Sequence, residues 1–368
     1  MGKHSIKHIK TLRLGVIGTA KNTGKTTTLI ALMQEAHKRH IPLAVTGIGY
    51  DGEAIDNLTL LPKPRLDVFP GIQLATAEEC VSQATARFKI LEKTEEETSL
   101  GKIRIVETIS PGRVLLVGPN KSDALDRVLA RLEKRVPLVL IDGALGRMVP
   151  ICVADTVIFA TGASRSTNIA HLAREMKAIQ GIFSLEGFEN TEPVSEMPDA
   201  ITLYYLGNRK NSLDFSSLLA KEHAQAILSL WHKDLRQISI PGAVASTPLQ
   251  WIIDQAPGLK NLAFHFRSPA MLLAGGKPLI VFEKLQTLAQ KGAKIVYQSP
   301  LPILAVTINP FYPKQKGRRG LFEPAYVDEF QMIENFLSAL SLPVYNIVKQ
   351  GAESLFDLIP LNKGGTKA

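Results

Sequence analysis

The chain has 368 residues, of which 45% are hydrophobic and 21% are charged. This ordinary globular composition excludes a disordered protein, a collagen-like protein and a small disulfide scaffold. Lysine and arginine outnumber aspartate and glutamate by 43 to 34, a formal net charge of +9 that is compatible with phosphate-bearing partners.

Cys80 and Cys152 are the two cysteines of the chain. So few thiols in a long chain predict free cysteines in a reducing compartment, and we expect a cytoplasmic protein. No stretch approaches the ~20 apolar residues of a membrane span, so no membrane association is expected.

The chain opens with a strand, a glycine-rich turn, a helix and a second strand. Leu12–Ile17 is a short apolar run, residues 25–39 carry apolar side chains at helical spacing, and a second strand begins at Pro42–Val45. This order is typical of the βαβ unit of a doubly wound, mostly parallel sheet. The predicted fold class is therefore α/β.

Residues 62–118 are rich in turn signals and short strand patterns. They predict a small β insertion in the first domain. Within it, Ile103–Glu107 and Val114–Val117 are predicted to pair as a hairpin across a loop that contains Pro111 and Gly112.

Two domains are predicted, a P-loop nucleotide-binding domain over residues 1–180 and a second α/β domain over 181–368. Further core strands of the first domain are expected at Val136–Ile141 and Thr156–Ala160. The strands assigned to the second domain are Gln237–Ile240, Asn261–Phe266, Lys294–Tyr297 and Ile303–Ile308. This second domain is expected to face a partner or client protein.

The strongest chemical signal is the turn between the first strand and the first helix, which reads Gly18-Thr-Ala-Lys-Asn-Thr-Gly24-Lys25-Thr26-Thr27-Thr28. Successive backbone N–H groups at a helix N-terminus bind phosphate, and glycine allows close approach. The G-x5-G-K-T spacing is one residue longer than the usual Walker A pattern, because Thr19 stands where the first glycine is expected. The residues predicted to bind nucleotide are Gly18, Thr23, Gly24, Lys25, Thr26 and Thr27.

Each polar group of this P-loop has an expected role with ATP and Mg²⁺. Lys25 would neutralise the β- and γ-phosphate oxygens, and the Thr26 hydroxyl would ligate Mg²⁺. Asp142 ends the apolar strand at Leu138–Ile141 and is predicted to supply the second metal ligand at the same sheet edge. Asp51 and Glu53 follow the second strand and are candidates to sense the γ-phosphate or polarise water, although a solvated turn explains them equally well.

The segment Asn120-Lys121-Ser122-Asp123 matches the guanine-reading pattern of GTPases, but it precedes Asp142 instead of following it. A helix N-cap by Ser122 or Asp123 is the simpler interpretation. ATP is therefore favoured over GTP.

Several segments together resemble the KamB family, the reactivating accessory P-loop proteins of lysine 5,6-aminomutase, and their relatives beside ornithine aminomutase. They are GTAKNTGKTTTL (18–29), GYDGEAID (49–56), KP (63–64), LATA (74–77), VGP (117–119), DGALGR (142–147), ATGAS (160–164) and VTINPFYP (306–313). The resemblance implies that a MutS-like ATPase partner and this protein together restore an adenosylcobalamin-dependent aminomutase. It implies roles in the nucleotide site for Gly24, Lys25, Thr26, Asp51, Glu53 and Asp142. It implies no role for the segment VTINPFYP.

Two positions depart from the family pattern. Tyr50 stands where an arginine is expected, and Gly146 stands where an aspartate is expected. If the missing groups assist hydrolysis, this chain binds nucleotide and turns it over slowly, as a weak ATPase.

Two other functions fit parts of the sequence. The G-x5-G-K-T spacing also resembles the dethiobiotin-synthetase type of ATP-dependent ligase, which activates a small acid. The net charge of +9 suggests a nucleic-acid-binding NTPase. The chain has no basic stripe interleaved with aromatic residues, so nucleic acid is the less favoured partner.

Overall fold

The computed structural model describes residues 11–49, 65–184, 196–317 and 321–361. The elements up to residue 184 are β1 (Leu12–Gly18), α1 (Lys25–Lys38), β2 (Leu43–Gly47), β3 (Leu66–Val68), β4 (Gln73–Ala77), α2 (Glu78–Ser82), β5 (Phe88–Thr98), β6 (Gly101–Thr108), β7 (Gly112–Val114), α3 (Ser122–Leu132), β8 (Leu138–Ala144), β9 (Thr156–Gly162) and α4 (Ile169–Ser184).

The elements from residue 196 to residue 317 are β10 (Thr202–Tyr205), β11 (Lys210–Ser212), α5 (Lys221–Ser229), β12 (Leu235–Ile240), α6 (Ser246–Gln255), β13 (Ala263–Phe266), α7 (Pro269–Ala274), α8 (Pro278–Gln290), β14 (Lys294–Tyr297), β15 (Ile303–Asn309) and β16 (Phe311–Lys316). They are followed by β17 (Leu321–Tyr326), α9 (Glu329–Ala339), β18 (Val344–Tyr345), α10 (Ile347–Gln350) and α11 (Glu353–Asp357).

Within the described residues, nine strands form one sheet in the order β18-β15-β9-β1-β8-β2-β4-β6-β5. The pairs from β18 to β4 are parallel, and β6 runs antiparallel to both of its neighbours. The predicted α/β class with a mostly parallel sheet is confirmed. Because β1 lies between β9 and β8, the turn that follows β1 emerges near the middle of the sheet's carboxyl edge.

The apolar run of β1 is continuous because both faces of the strand are covered. Val16 packs into the cluster that contains Leu29 and Leu32 of α1, whereas Ile17 belongs to the cluster on the other face. Adjacent side chains of a strand point to opposite faces, so each face needs its own apolar residue. The apolar side chains predicted at helical spacing in α1 cover one of these two faces.

The predicted β insertion contributes strands to the large sheet, but its predicted hairpin is wrong. The strand β6 pairs with β5 across a turn at Ser99 and Leu100, and Gly101 has φ +89. β7 instead pairs with β3, with Val114 opposite Leu66. The short local turn brings β5 and β6 together at little entropic cost. The sequence did not predict β5 as a strand because its run of acidic residues resembles an exposed segment.

A second sheet has the order β11-β10-β12-β13-β14. The strand predicted at Ile303–Ile308 was placed in this second half, and that placement is wrong. β15 instead pairs in parallel with β9 in the large sheet, with Val306 opposite Phe159. The residue pattern of a strand indicates that the strand is buried, but not which sheet it joins. Here β15 joins the large sheet beside β9. The division of the chain at residue 180 stays a prediction.

Cys80 and Cys152 are both free thiols, as predicted. In the part of the chain that the structure describes, no helix has the length and apolar character required to cross a bilayer.

A buried polar cluster lies on one face of the second sheet. Gln237, Ser239 and His265 are all 0% exposed. The Ser239 hydroxyl lies 3.1 Å from His265 Nδ1, and Gln237 Nε2 lies 3.3 Å from the same nitrogen. Burial lowers the pKa of His265 below the ordinary value of 6.5, and the hydrogen bond with the Gln298 side chain acts in the opposite direction.

The lowered pKa of His265 predicts that acid weakens the fold. Between pH 6.5 and the lowered value, the unfolded chain binds a proton that the folded chain does not. The free energy of unfolding should therefore fall as the pH falls through this window. Urea unfolding between about pH 5 and pH 8 should show a weaker pH dependence in His265→Gln than in the wild type. An unchanged slope in His265→Gln would contradict the assignment.

Candidate nucleotide-binding site

The turn between β1 and α1 has the backbone of an anion-binding loop. The Thr19 N–H donates to the Ala160 carbonyl at 2.9 Å, after which the chain leaves the sheet. Asn22 and Gly24 both have left-handed conformations, with φ +61 and φ +87. A Cβ at residue 24 would lie 3.4 Å from Asn309 Cβ, and the left-handed backbone would strain it further. The left-handed backbone therefore favours glycine at residue 24.

A run of five backbone N–H groups in this turn is left for a ligand. The N–H groups of residues 23–27 have no hydrogen-bond acceptor among the described residues. Gly24 is the N-cap of α1, no side chain caps the helix, and its first turn contains no acidic residue. Unpaired amides and the positive end of a helix dipole favour an anion at this position.

Lys25 and Asp142 meet across the carboxyl ends of β1 and β8. The Lys25 Nζ atom lies 2.8 Å from Asp142 Oδ1, and each side chain is 23% exposed. A Cβ at Gly18 would lie 3.3 Å from Lys25 Cβ and Cδ, so the glycine leaves room for the lysine stem to fold back over the loop. The structure therefore brings the P-loop lysine and the carboxylate predicted as a metal ligand together at one sheet edge, in an ion pair that the sequence did not predict.

Some threonine side chains of the loop are buried within it, and others are accessible to a ligand. Thr23 is 1% exposed, and its hydroxyl donates to the Ala20 carbonyl at 2.9 Å, so its side chain braces the loop. Thr26 is half-buried in the first turn of α1, and Thr27 is exposed. Thr26 is thus placed to offer its hydroxyl to a ligand, whereas Thr23 has only its backbone N–H to offer.

Mg²⁺ fits the oxygen groups of this site. Asp142 Oδ1 is buried and accepts no hydrogen bond of regular geometry, although the Lys25 ammonium lies beside it. Within residues 11–49, 65–184, 196–317 and 321–361, no three His, Cys, Asp or Glu side chains are grouped to hold a metal ion. A metal at this site would use Asp142, the Thr26 hydroxyl and phosphate oxygens, the hard donors that Mg²⁺ prefers.

Asp51 and Glu53, together with Tyr50, lie outside the described residues, so their predicted roles stay predictions. Gly146 is exposed, and a Cβ at that residue would meet nothing within 4 Å. The position of the expected aspartate is therefore sterically open.

The predicted N-cap at Ser122 or Asp123 is wrong. The capping residue of α3 is Lys121, and no side chain accepts a hydrogen bond at this end of the helix. Ser122 Oγ instead donates to the Val149 carbonyl at 3.4 Å. Ser122 does not cap the helix because it already lies inside the first helical turn, and its hydroxyl bonds to a neighbouring loop instead. The preference for ATP over GTP therefore has no support from a cap at this helix.

Sequence reasoning missed two side chains that contact the loop from outside. Arg165, just after β9, donates to the Thr19 carbonyl and pairs with Glu175 of α4. Asn309, at the end of β15, donates through Nδ2 to the Asn22 carbonyl at 3.0 Å. Arg165 directly follows the segment 160–164 and Asn309 lies within the segment 306–313, and the family resemblance of these two segments was the one available signal.

No protein-family model matches the chain, and no curated protein matches its sequence. Among solved structures, the chain is similar to the signal recognition particle receptor FtsY from Elizabethkingia anophelis, at 10% identity and a TM-score of 0.23. That match covers 90% of this chain and 68% of the other. A likeness at this score carries no argument, and the comparisons give no support to the KamB family. The function is therefore argued from the site itself.

Proposed function

We propose that this protein binds ATP with Mg²⁺ at the loop between β1 and α1. The observation that carries the proposal is the run of five N–H groups at residues 23–27 that find no acceptor within the described residues, beside the Lys25 ammonium. Such a row of donors matches the several negative charges of a triphosphate. The N–H groups would hold the phosphate oxygens, and Thr26 and Asp142 would hold the metal.

The Lys25–Asp142 ion pair supports this proposal. A lysine beside a polyphosphate is attracted more strongly by several charges than by one carboxylate. Lys25 would therefore exchange Asp142 for phosphate oxygens, and the carboxylate would become available to the metal. A bound nucleotide can act in one of two ways. It can donate a phosphoryl group, or it can bind two conformations of the protein with different affinities and so change their proportions.

The finer proposal is that ATP binding serves, together with a MutS-like ATPase, to reactivate an adenosylcobalamin-dependent aminomutase. The support for it is the set of short sequence segments shared with the KamB family. Release of a damaged, tightly bound cofactor requires a conformational change, and ATP can drive one only by binding two states differently.

Titration calorimetry tests the nucleotide site directly. ATP should bind more tightly with Mg²⁺ than without it, and AMP should bind far more weakly because it lacks the β- and γ-phosphates. A parallel titration with GTP decides between the two bases. Equal binding of ATP and AMP, or no binding of either, would overturn the proposal.

The finer proposal needs a separate experiment. The protein should co-purify with a cobalamin-dependent aminomutase in the presence of ATP, and its ATP turnover should rise with a protein partner. Turnover that rises with a small carboxylic acid and not with a protein would favour the ligase instead.

A further inference from the structure

Two side chains from distant parts of the chain hold two carbonyl groups of the phosphate loop. Asn309 Nδ2 donates to the Asn22 carbonyl across a separation of 287 residues. Arg165 donates to the Thr19 carbonyl across 146 residues. Neither contact is part of the strand pairing or of the helix, so each is an added restraint on the loop.

A restraint on a carbonyl also orients the next N–H group. The peptide unit is planar, and in the trans form its C=O and N–H point in opposite directions. The described residues contain no cis peptide bond. A carbonyl of Asn22 that is held toward Asn309 therefore turns the Thr23 N–H to the opposite side. The carbonyl of Thr19, held by Arg165, orients the Ala20 N–H in the same way.

We infer that Asn309 and Arg165 are positioning residues for phosphate binding, because they fix the peptide units 22–23 and 19–20 with their N–H groups directed away from the side chains that hold them. This inference rests on the proposed nucleotide site and deepens it. It also gives a role to the segment 306–313, for which the sequence supplied none.

The Asn22 carbonyl belongs to a residue with φ +61, a conformation that a residue with a Cβ adopts at a cost. The hydrogen bond from Asn309 holds the peptide that follows Asn22 from a fixed position. The Thr307 hydroxyl lies 3.0 Å from the buried Thr28 hydroxyl, which anchors β15 to α1.

Arg165 is itself fixed by a buried carboxylate. Its Nε and Nη2 atoms pair with Glu175, which is 6% exposed on α4, and its Nη1 reaches the Thr19 carbonyl. The planar guanidinium makes both contacts at once, which a lysine cannot do. Arg165 therefore holds the loop through geometry as well as charge.

The test uses inorganic tripolyphosphate, which probes the loop without a nucleoside, in titrations of the full chain. Asn309→Ala and Arg165→Ala should each weaken tripolyphosphate binding about tenfold, the equivalent of one lost hydrogen bond. Asn309→Asp, which keeps the size but loses the donor, should weaken it at least as much. The melting temperature of each variant without ligand reports any purely structural effect.

Thr307→Val is the matched control on the same strand. It removes the hydroxyl contact with Thr28, so it should lower the melting temperature while tripolyphosphate affinity stays within about twofold of the wild type. Asn309→Ala and Arg165→Ala proteins that fold and bind tripolyphosphate as tightly as the wild type would overturn the inference. If the wild type itself binds neither tripolyphosphate nor ATP, the proposed function has failed instead.

Discussion

Lys25→Ala is expected to weaken ATP binding by about 100-fold or more while the protein remains folded. In the proposed site the lysine ammonium would supply charge-assisted hydrogen bonds to the phosphates, each worth about 1.5–3 kcal/mol, and a factor of 100 corresponds to about 2.7 kcal/mol. Its contribution to the empty protein is smaller, since both side chains of the pair are 23% exposed, even though the paired Asp142 Oδ1 is itself buried. Titration calorimetry gives the affinity, and circular dichroism melting gives the stability.

Lys38→Ala provides the control for this measurement. Lys38 lies at the other end of α1, is 66% exposed and lies near Glu35 and Glu353. Its removal changes the net charge by the same amount without touching the loop, so ATP affinity should stay within about twofold of the wild type. If Lys25→Ala binds ATP as tightly as Lys38→Ala does, the lysine does not contact phosphate and the central site is lost.

Gly118→Ala is expected to cause the largest loss of stability. A Cβ at this residue would lie 1.7 Å from the Gly47 carbonyl oxygen and 2.7 Å from its carbon. Both atoms are backbone at the end of β2, so no side-chain rotation relieves the overlap. We expect the free energy of unfolding to fall by about 3 kcal/mol or more, at the upper end for an overpacked site. Guanidinium unfolding measures it.

Gly146→Ala is the matched control for Gly118→Ala. It makes the same chemical change where a Cβ meets nothing within 4 Å. Its free energy of unfolding should change by less than about 0.5 kcal/mol. Equal unfolding midpoints for the two variants would show that β2 shifts to admit the extra methyl group.

The parts of the site that the sequence predicted depend on short-range patterns. β1, the phosphate loop and α1 are consecutive, and Asp142 directly follows the apolar run of β8. These elements could be predicted because the apolar pattern of a strand, the periodicity of a helix and the residue types of a phosphate loop are each recognisable within a few consecutive residues. The 2.8 Å Lys25–Asp142 contact follows from them once both strands run in parallel at the same edge.

The parts that sequence reasoning missed depend on contacts between distant segments. Asn309 reaches the loop because β15 pairs with β9, and nothing in the composition of Ile303–Asn309 distinguishes that edge from the edge of the second sheet. The hairpin of β5 and β6 was missed for a different reason. Glu92 and Glu96 make β5 resemble a solvated run, yet they pair with arginines of α3, including Arg131 and Arg127.

The return of β15 to the first sheet has a consequence for the order in which the protein matures on the ribosome. A nascent chain that has reached residue 180 contains β1, the loop, α1 and Asp142. It does not yet contain Asn309, which holds the Asn22 carbonyl of the loop. Under the proposed function, full affinity for phosphate would therefore arise late in translation, after the chain between β9 and β15, with the whole second sheet, has been made.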